Sequence, residues 1–236
     1  MKTLLISELK SFSKNWRFLL LLLIIFLFGT FGGSNARFTI SENLAYNSPY
    51  QIAFITAFLS LTSLFFATIF TAQLALKEID YNFNLIYFSF PITPKQFIWS
   101  RFLFLFTLTL CSTFLLSIGF FVGREIKMND NLSASFSVFN YLLPILFFTV
   151  INSFFVVAVT STVAWFSKNK LYVYVSGLLL YVLYMVALLF SGSPFMANQL
   201  PQSKQAQWIS ALSDPFGISA FFFFILHLSI DERNTN

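Results

Sequence analysis

Five long apolar runs constrain the fold of this sequence more than any other feature. They occupy residues 16–33, 50–76, 98–123, 140–166 and 171–190. Each run is long enough to cross a hydrocarbon core about 30 Å thick. A segment inside lipid has to satisfy its own backbone hydrogen bonds, so each run is predicted to be a helix. The sequence therefore predicts an all-α, polytopic membrane protein with five transmembrane helices.

The composition supports this fold class. Hydrophobic residues make up 57% of the 236 residues, and charged residues only 10%. Soluble domains hold roughly 25% charged residues, and a soluble chain this poor in charge would expose large apolar patches. We therefore expect residues 1–236 to form a single transmembrane domain in a lipid bilayer. The net charge of +5 does not predict a nucleic-acid partner, because the basic residues lie at the ends of the apolar runs.

The distribution of lysine and arginine predicts a cytoplasmic N-terminus. In that orientation nine basic residues lie on the inner side and four on the outer side, leaving out Arg233. This asymmetry follows the positive-inside rule. The inner residues are Lys2, Lys10, Lys14, Arg17, Lys77, Lys95, Arg101, Lys168 and Lys170, and the outer residues are Arg37, Arg124, Lys127 and Lys204.

The first 15 residues predict an amphipathic helix in the cytoplasmic membrane interface. Its lysines lie off the apolar face, where they can approach anionic headgroups. An ordinary charged lead-in to the first span is the alternative. A cleaved signal peptide is disfavoured, because its apolar region of about 7 to 15 residues is shorter than the first run. The apolar residues recur at helical spacing and are Leu5, Leu9, Phe12 and Trp16.

Residue types that catalysis or metal binding would need are scarce. The chain has one histidine, His227, and one cysteine, Cys111, and no acidic residue lies centrally in the five runs. The glycines at 29, 32 and 33 are not followed by the Lys-Ser/Thr pair of a phosphate-binding loop. We therefore expect no catalytic, metal-binding or cofactor-binding site, and neither an enzyme nor a carrier with its own proton relay.

Polar residues inside the runs allow two interpretations. They could line a path for a substrate, or they could form hydrogen bonds between helices, worth roughly 0.6 kcal/mol each. We favour interhelical hydrogen bonds. The residues are Gln73 near the end of the second run and Asn152, Ser153, Thr160, Ser161 and Thr162 along the fourth.

The segment between the second and third runs, residues 77–97, combines acidic, apolar and proline residues. It opens with Glu78 and Asp80 and continues with a short helix-compatible piece. Pro91 and Pro94 then interrupt that helix. Thr93 is placed to cap a helix that restarts there and enters the third run. The segment is thus predicted to be a helix, a corner and a second helix.

The apolar face of this segment cannot enter lipid fully, because Asp80, Asn82 and Asn84 interleave with it. It could cover the protein's own cytoplasmic end or the surface of a partner protein, and the residues alone leave both open. The face consists of Leu85, Ile86, Phe88 and Phe90.

The order of these features resembles a type-2 ABC exporter permease. Such permeases begin with an amphipathic cytoplasmic helix, and their loop into the third span carries acidic residues, a proline–hydroxyl pattern and a basic residue. Here that loop contains Glu78, Asp80 and LIYFSFPITPKQFIWSRF, residues 85–102. The chain is also similar to Bacteroidetes-type permeases, some of them fused to a zinc aminopeptidase domain. These share a DPFG element followed by an alanine, here 214–217 and Ala220, and an ERNT element, here 232–235.

The resemblance implies a permease subunit of an exporter in a bacterial cytoplasmic (inner) membrane. A separate cytoplasmic ABC ATPase would bind and hydrolyse ATP, and a second permease half would complete a homo- or heterodimer. A membrane scaffold or assembly protein without transport activity is the alternative. The ATPase would dock on residues 78–97, hereafter the docking loop, through Glu78, Asp80, Leu85, Ile86, Phe88, Phe90, Pro91, Thr93, Pro94 and Lys95.

The C-terminal apolar stretch at 216–230 is short for a span. Its 15 residues would form a helix of about 22 Å, against a core of about 30 Å. From the resemblance we expect residues 205–230 to lie at the outer surface or to re-enter the membrane, with a true sixth span as the alternative. Relatives continue into further spans after ERNT, whereas this sequence ends at Asn236 and lacks a zinc motif.

Overall fold

The computed structural model describes residues 2–35, 47–77, 93–126 and 137–190. Within these ranges the chain is helical apart from short connections and contains no β-strand, as the apolar runs predict. The predictions for His227, for the stretch 205–230 and for the DPFG and ERNT elements lie outside the described residues.

Seven α-helices and one π-helical turn make up the described ranges. Four segments are long and apolar enough to cross a membrane: Trp16–Asn35, Pro49–Ala75, Lys95–Ile126 and Val138–Ser167. A helix also forms where the fifth span is predicted, and its apolar part, Lys170–Val186, is shorter than these four. The elements are α1 (Lys2–Ser13), α2 (Trp16–Asn35), α3 (Pro49–Ser60), α4 (Thr62–Phe70), the π turn (Thr71–Ala75), α5 (Pro94–Ile126), α6 (Val138–Ser167) and α7 (Lys170–Phe190).

The second span-length segment is one helical path interrupted twice. α3 and α4 are separated at Leu61. Next to this break the hydroxyls of Ser60 and Thr62 each donate to a backbone carbonyl one turn earlier, at 2.6 Å, and such back-bonding bends helices. The π turn at Thr71–Ala75 then widens the helix near its end. We call α3, α4 and the π turn together the second segment.

Successive long helices alternate in direction, as consecutive spans must. α2 runs parallel to α5, α5 runs antiparallel to α6, and the second segment runs parallel to α6 and antiparallel to α7. The ends near Trp16, Lys77, Pro94, Ser167 and Lys170 therefore meet at one end of the bundle, hereafter the base. The pairs that define these directions are Gly29–Leu116 and Gly33–Phe120, Thr113–Ser153 and Glu125–Tyr141, Ser60–Asn152 and Thr71–Thr160, and Phe65–Tyr181 and Gln73–Tyr174.

α2 and α5 are in direct backbone contact. A Cβ atom added at Gly33 would lie 1.9 Å from the carbonyl oxygen of Phe120, and one added at Gly123 would lie 1.9 Å from the carbonyl oxygen of Thr30. No side chain fits at such distances. Both helices carry the glycine spacing of close transmembrane helix pairs. We call this set the glycine interface: Gly29, Gly33, Gly119 and Gly123.

The buried core lies between the second segment, α5 and α6, where side chains such as Phe54, Phe104 and Val156 are almost fully buried. The outer faces of the bundle are also apolar. Phe28 and Phe31 on α2 are each 70% exposed. Faces of this kind would drive aggregation in water and suit a lipid environment, which fits a membrane protein.

α1 packs one apolar face against the base. Leu5, Leu9 and Phe12 are partly buried against the core. The Phe12 ring contacts Phe18 and Phe104 edge-on, with centroid separations of 5.3 and 5.1 Å. These three residues lie together on one face, as their spacing predicts.

The prediction that Trp16 is the fourth member of that face is wrong. α1 ends at Ser13, and Trp16 is the first residue of α2 and is 66% exposed. The reason is a cap between the two helices, because the side chain of Asn15 accepts the Arg17 N–H at 3.1 Å. Such a cap starts a new helix, so the helical spacing does not continue across it.

Candidate functional site

Three of the predicted docking residues lie in described ranges, at the start of α5. The Thr93 hydroxyl accepts the Gln96 N–H at 3.3 Å, and α5 begins at Pro94, so the predicted cap and restart are confirmed. Lys95 is exposed. The docking role itself stays a prediction. The other residues lie outside the described part: Glu78, Asp80, Leu85, Ile86, Phe88, Phe90 and Pro91.

A buried ion pair ties α1 to α5 at the base. Arg101 Nη1 donates to Glu8 Oε1 at 2.7 Å, and the two side chains are only 7% and 22% exposed. The Arg101 guanidinium also lies over the Phe97 ring, 5.8 Å from its centroid. The pair lies within two helical turns of Pro94, so it fixes α1 to the part of α5 that follows the docking loop.

The electrostatics of Glu8 reflect its burial. Burial raises the pKa of the Glu8 carboxyl above its ordinary value of 4.5, and the positive charges of Arg101 and Lys77 oppose that rise. Lys77 lies two residues after the π turn and is the last described residue before the docking loop. We call Glu8, Lys77 and Arg101 the charged base. It brings both ends of the docking loop together with α1.

Glu8 carries no role in the predictions above, although a signal for it was present. It is the one acidic residue in the first 15 and directly precedes Leu9 on the apolar face. A lone carboxylate beside an apolar face needs a cationic partner when that face is buried.

The π turn connects the second segment to two other helices near the base. Thr71 Oγ1 and Thr160 Oγ1 share a hydrogen bond of 3.2 Å, and Gln73 Nε2 donates to the Tyr174 hydroxyl at 3.3 Å. π turns are rare and occur frequently at functional sites. This one lies directly before the residues that lead into the docking loop.

Hydrogen bonds also join helices deeper in the core. Asn152 Nδ2 donates to the Ser60 hydroxyl at 2.6 Å, and the hydroxyls of Thr113 and Ser153 are 3.4 Å apart. Together with the Thr71–Thr160 pair, these contacts form what we call the polar interface.

The polar interface confirms interhelical hydrogen bonding for three of the predicted residues, Asn152, Ser153 and Thr160. Gln73 also bonds to another helix. Ser161 and Thr162 differ, because both donate to carbonyls of their own helix.

Two apolar grooves lie between α5 and α6, at opposite ends of that helix pair. The larger, about 590 Å³, contains Glu125, whose carboxylate accepts a hydrogen bond from the Tyr141 hydroxyl. The smaller, about 220 Å³, lies at the base and is lined by Trp99 and Trp165. We call them the Glu125 groove and the Trp99 groove.

Among the residues that the structure describes, no three His, Cys, Asp or Glu side chains group together in a way that could hold a metal ion. The charged base is an ion pair with a neighbouring cation, an arrangement suited to fixing α1 against α5.

Comparisons of the chain with protein-family models, with curated proteins and with solved structures found no match. The family resemblance therefore rests on the sequence elements quoted above.

Proposed function

We propose that this chain is the membrane-spanning permease subunit of a type-2 ABC exporter. It crosses the bacterial cytoplasmic membrane five times with its N-terminus inside, and a separate ATPase subunit docks on residues 78–97. Two permease halves form the transporter. The chain itself moves a substrate and hydrolyses nothing.

The Glu8–Arg101 ion pair is the observation that carries the proposal. It joins α1 to α5 just after the docking loop, and Lys77 at the other end of the loop is close enough to lower the pKa of the same carboxyl. A force applied to the loop would therefore act on α1, α5 and the end of the second segment together.

The glycine interface would extend this movement to α2. Because Gly33 and Gly123 bring the backbones of α2 and α5 into contact, α5 cannot shift without displacing α2. Close-packed interfaces transmit displacement rather than absorbing it. A displacement of the docking loop would therefore move both α5 and α2.

Cross-linking to the ATPase tests the proposal. In a Cys111→Ser background, Lys95→Cys places an exposed thiol at the base, and Ile126→Cys places one at the opposite end of the same helix, where that residue is 77% exposed. We expect an ATPase subunit to co-purify and to cross-link to position 95 but not to position 126. A scaffold without transport activity would be purified without any ATPase.

Cysteine labelling tests the orientation separately. Ser41→Cys should react with an impermeant reagent from outside, and Ser89→Cys only after the membrane is opened. The reverse pattern would place the docking loop outside the cell and would exclude the proposal.

A further inference from the structure

The Trp99 groove has the features of a binding site for an anionic lipid. It lies between the first turns of α5 and the last turns of α6, at the base. Its walls include Phe102, Phe154 and Ala158. The surrounding surface is apolar as well, since Trp99 is 55% and Phe154 50% exposed. A groove open to such a surface faces the hydrocarbon of the membrane.

The size of the groove fits a hydrocarbon chain better than a compact ligand. Its volume of about 220 Å³ lies below the roughly 300–1,000 Å³ of typical small-molecule pockets. The hydroxyls of Ser161 and Thr162 in its wall donate to carbonyls of their own helix, at 2.5 and 2.7 Å. The groove thus offers mainly apolar contact along its length.

Two lysines lie at the base ends of the two helices that form the groove. Lys95 lies one helical turn before Trp99, and Lys168 follows Trp165 by three residues; both lysines are exposed. Neither forms an ion pair within the described residues. The aromatic rings lie where a bilayer interface enriches tryptophan.

No described carboxylate neutralises these lysines. The described ranges contain two acidic residues, Glu8 and Glu125. Glu8 pairs with Arg101, and Glu125 lies in the other groove. Among the described residues, the positive charge at this end of the helix pair has no carboxylate paired with it, which favours an anionic group there.

The backbone at Lys168 adds a second observation. Lys168 has a φ of 52°, in the left-handed region, where glycine is the usual residue after a helix. A lysine at this position strains the backbone, and it puts a cation at the C-terminal end of α6, three residues after Trp165 of the groove wall.

We propose that the Trp99 groove binds one anionic phospholipid, with an acyl chain between α5 and α6 and the phosphate between Lys95 and Lys168. Basic pockets between membrane helices recognise anionic headgroups in this way. In the proposed orientation the base lies in the cytoplasmic leaflet. Lipid binding there does not require the ATPase, so it can be tested apart from transport.

Native mass spectrometry of the purified chain tests this site. The probes are phosphatidylglycerol and phosphatidylcholine with identical acyl chains. We expect phosphatidylglycerol to be retained preferentially by the wild-type protein. Equal retention of the two lipids would overturn the proposal, because the groove would then accept any acyl chain.

Two variants and a control locate the site. Lys168→Gly removes one cation while glycine suits the φ of 52°, so the fold is preserved and phosphatidylglycerol affinity should fall about fivefold. Ala158→Phe fills the groove and should abolish retention. Lys14→Gln removes a cation from the link between α1 and α2 and should leave retention unchanged. Unchanged retention in Lys168→Gly, or an equal loss in Lys14→Gln, would contradict the proposal.

Discussion

Helix α5 meets α2 at the glycine interface and meets α6 at the polar interface, which also joins α6 to the second segment. On the α2 side, backbone meets backbone, and a Cβ atom at Gly33 would lie 1.9 Å from a carbonyl oxygen. On the α6 side, side-chain hydroxyls meet, with Thr113 and Ser153 3.4 Å apart. In lipid the hydrophobic effect does not drive helices together, so packing and hydrogen bonds must do so.

The difference lies in what each contact tolerates. A glycine contact between backbones has no room to adjust, so any added atom separates the helices. A hydroxyl pair can lose one partner, and the remaining hydroxyl can bond to its own helix, as Thr160 already does with the Val156 carbonyl at 2.9 Å. We therefore expect α2 to follow α5 rigidly, while the contact between α5 and α6 can rearrange at lower cost.

Substitution of glycine in the α2–α5 contact should have the largest effect. Gly33→Ala forces the backbones apart and should lower the free energy of unfolding by about 3 kcal/mol or more. Gly32→Ala is the matched control, because its Cβ would lie 3.7 Å from the Phe120 ring, an ordinary contact, and alanine favours helix by up to about 1 kcal/mol. Unfolding in mixed micelles measures both. If Gly33→Ala and Gly32→Ala changed the free energy of unfolding equally, the backbone contact would tolerate an added atom, and the two interfaces would not differ in this respect.

Loss of the ion pair at the base should have the second-largest effect on stability. Glu8→Ala leaves the Arg101 guanidinium, whose side chain is 7% exposed, without its carboxylate, and the loss of one partner of a buried pair costs about 3 kcal/mol or somewhat less at a partly wet site. Glu8→Gln keeps an acceptor and should cost less. If Glu8→Ala left stability unchanged, the pair would not hold α1 to α5.

Loss of a hydroxyl contact should have a smaller effect. Thr160→Val removes the bond to Thr71 and should cost about 1 kcal/mol. Thr162→Val is the same change two residues away, where the hydroxyl donates to the carbonyl of Ala158 in its own helix, and it should change stability by less than about 0.5 kcal/mol. If Thr160→Val lowered the free energy of unfolding by more than Gly33→Ala does, the polar interface would be the less tolerant of the two.

The pH dependence at Glu8 should be the smallest effect. Since burial raises the pKa of Glu8 in the folded state above 4.5, the folded state binds more protons than the unfolded state in the interval above that pH. The contribution of Glu8 to stability is therefore full below pH 4.5 and falls as the pH rises through the folded-state pKa. The unfolding free energy of the wild type, minus that of Glu8→Gln, should decrease over this interval. If this difference increased with pH, the attraction to Arg101 would stabilise the charged carboxyl more than burial destabilises it.

The long helices could be predicted from the sequence, because a helix that crosses a bilayer needs an apolar run long enough to span the hydrocarbon core. Each predicted run matches a described helix to within four residues at either end, and the restart at Pro94 with its Thr93 cap was predicted. Start signals of this kind are local, so sequence reasoning finds them. The break at Leu61 and the π turn were missed. The break lies beside two hydroxyls that donate to carbonyls of their own helix, and the π turn carries hydrogen bonds to two other helices, which the sequence does not display.

The glycine interface was missed for a different reason. The spacing of Gly29 and Gly33, repeated at Gly119 and Gly123, is a readable signal for close helix contact. In the sequence, the glycines at 29, 32 and 33 were considered only as part of a phosphate-binding loop. The partner of Glu8 could not be read in the same way, since the pairing with Arg101 joins residues 93 positions apart.

The coupling of the docking loop to α5 is central to the proposed function. Pro91→Ala combined with Pro94→Ala lets the helix continue through the corner, and permease-stimulated ATPase activity of the reconstituted complex measures the result. We predict normal membrane insertion with about a tenfold loss of stimulation. A double variant that inserts normally and retains full ATPase binding and stimulation would contradict the account, because the corner would then only connect two spans.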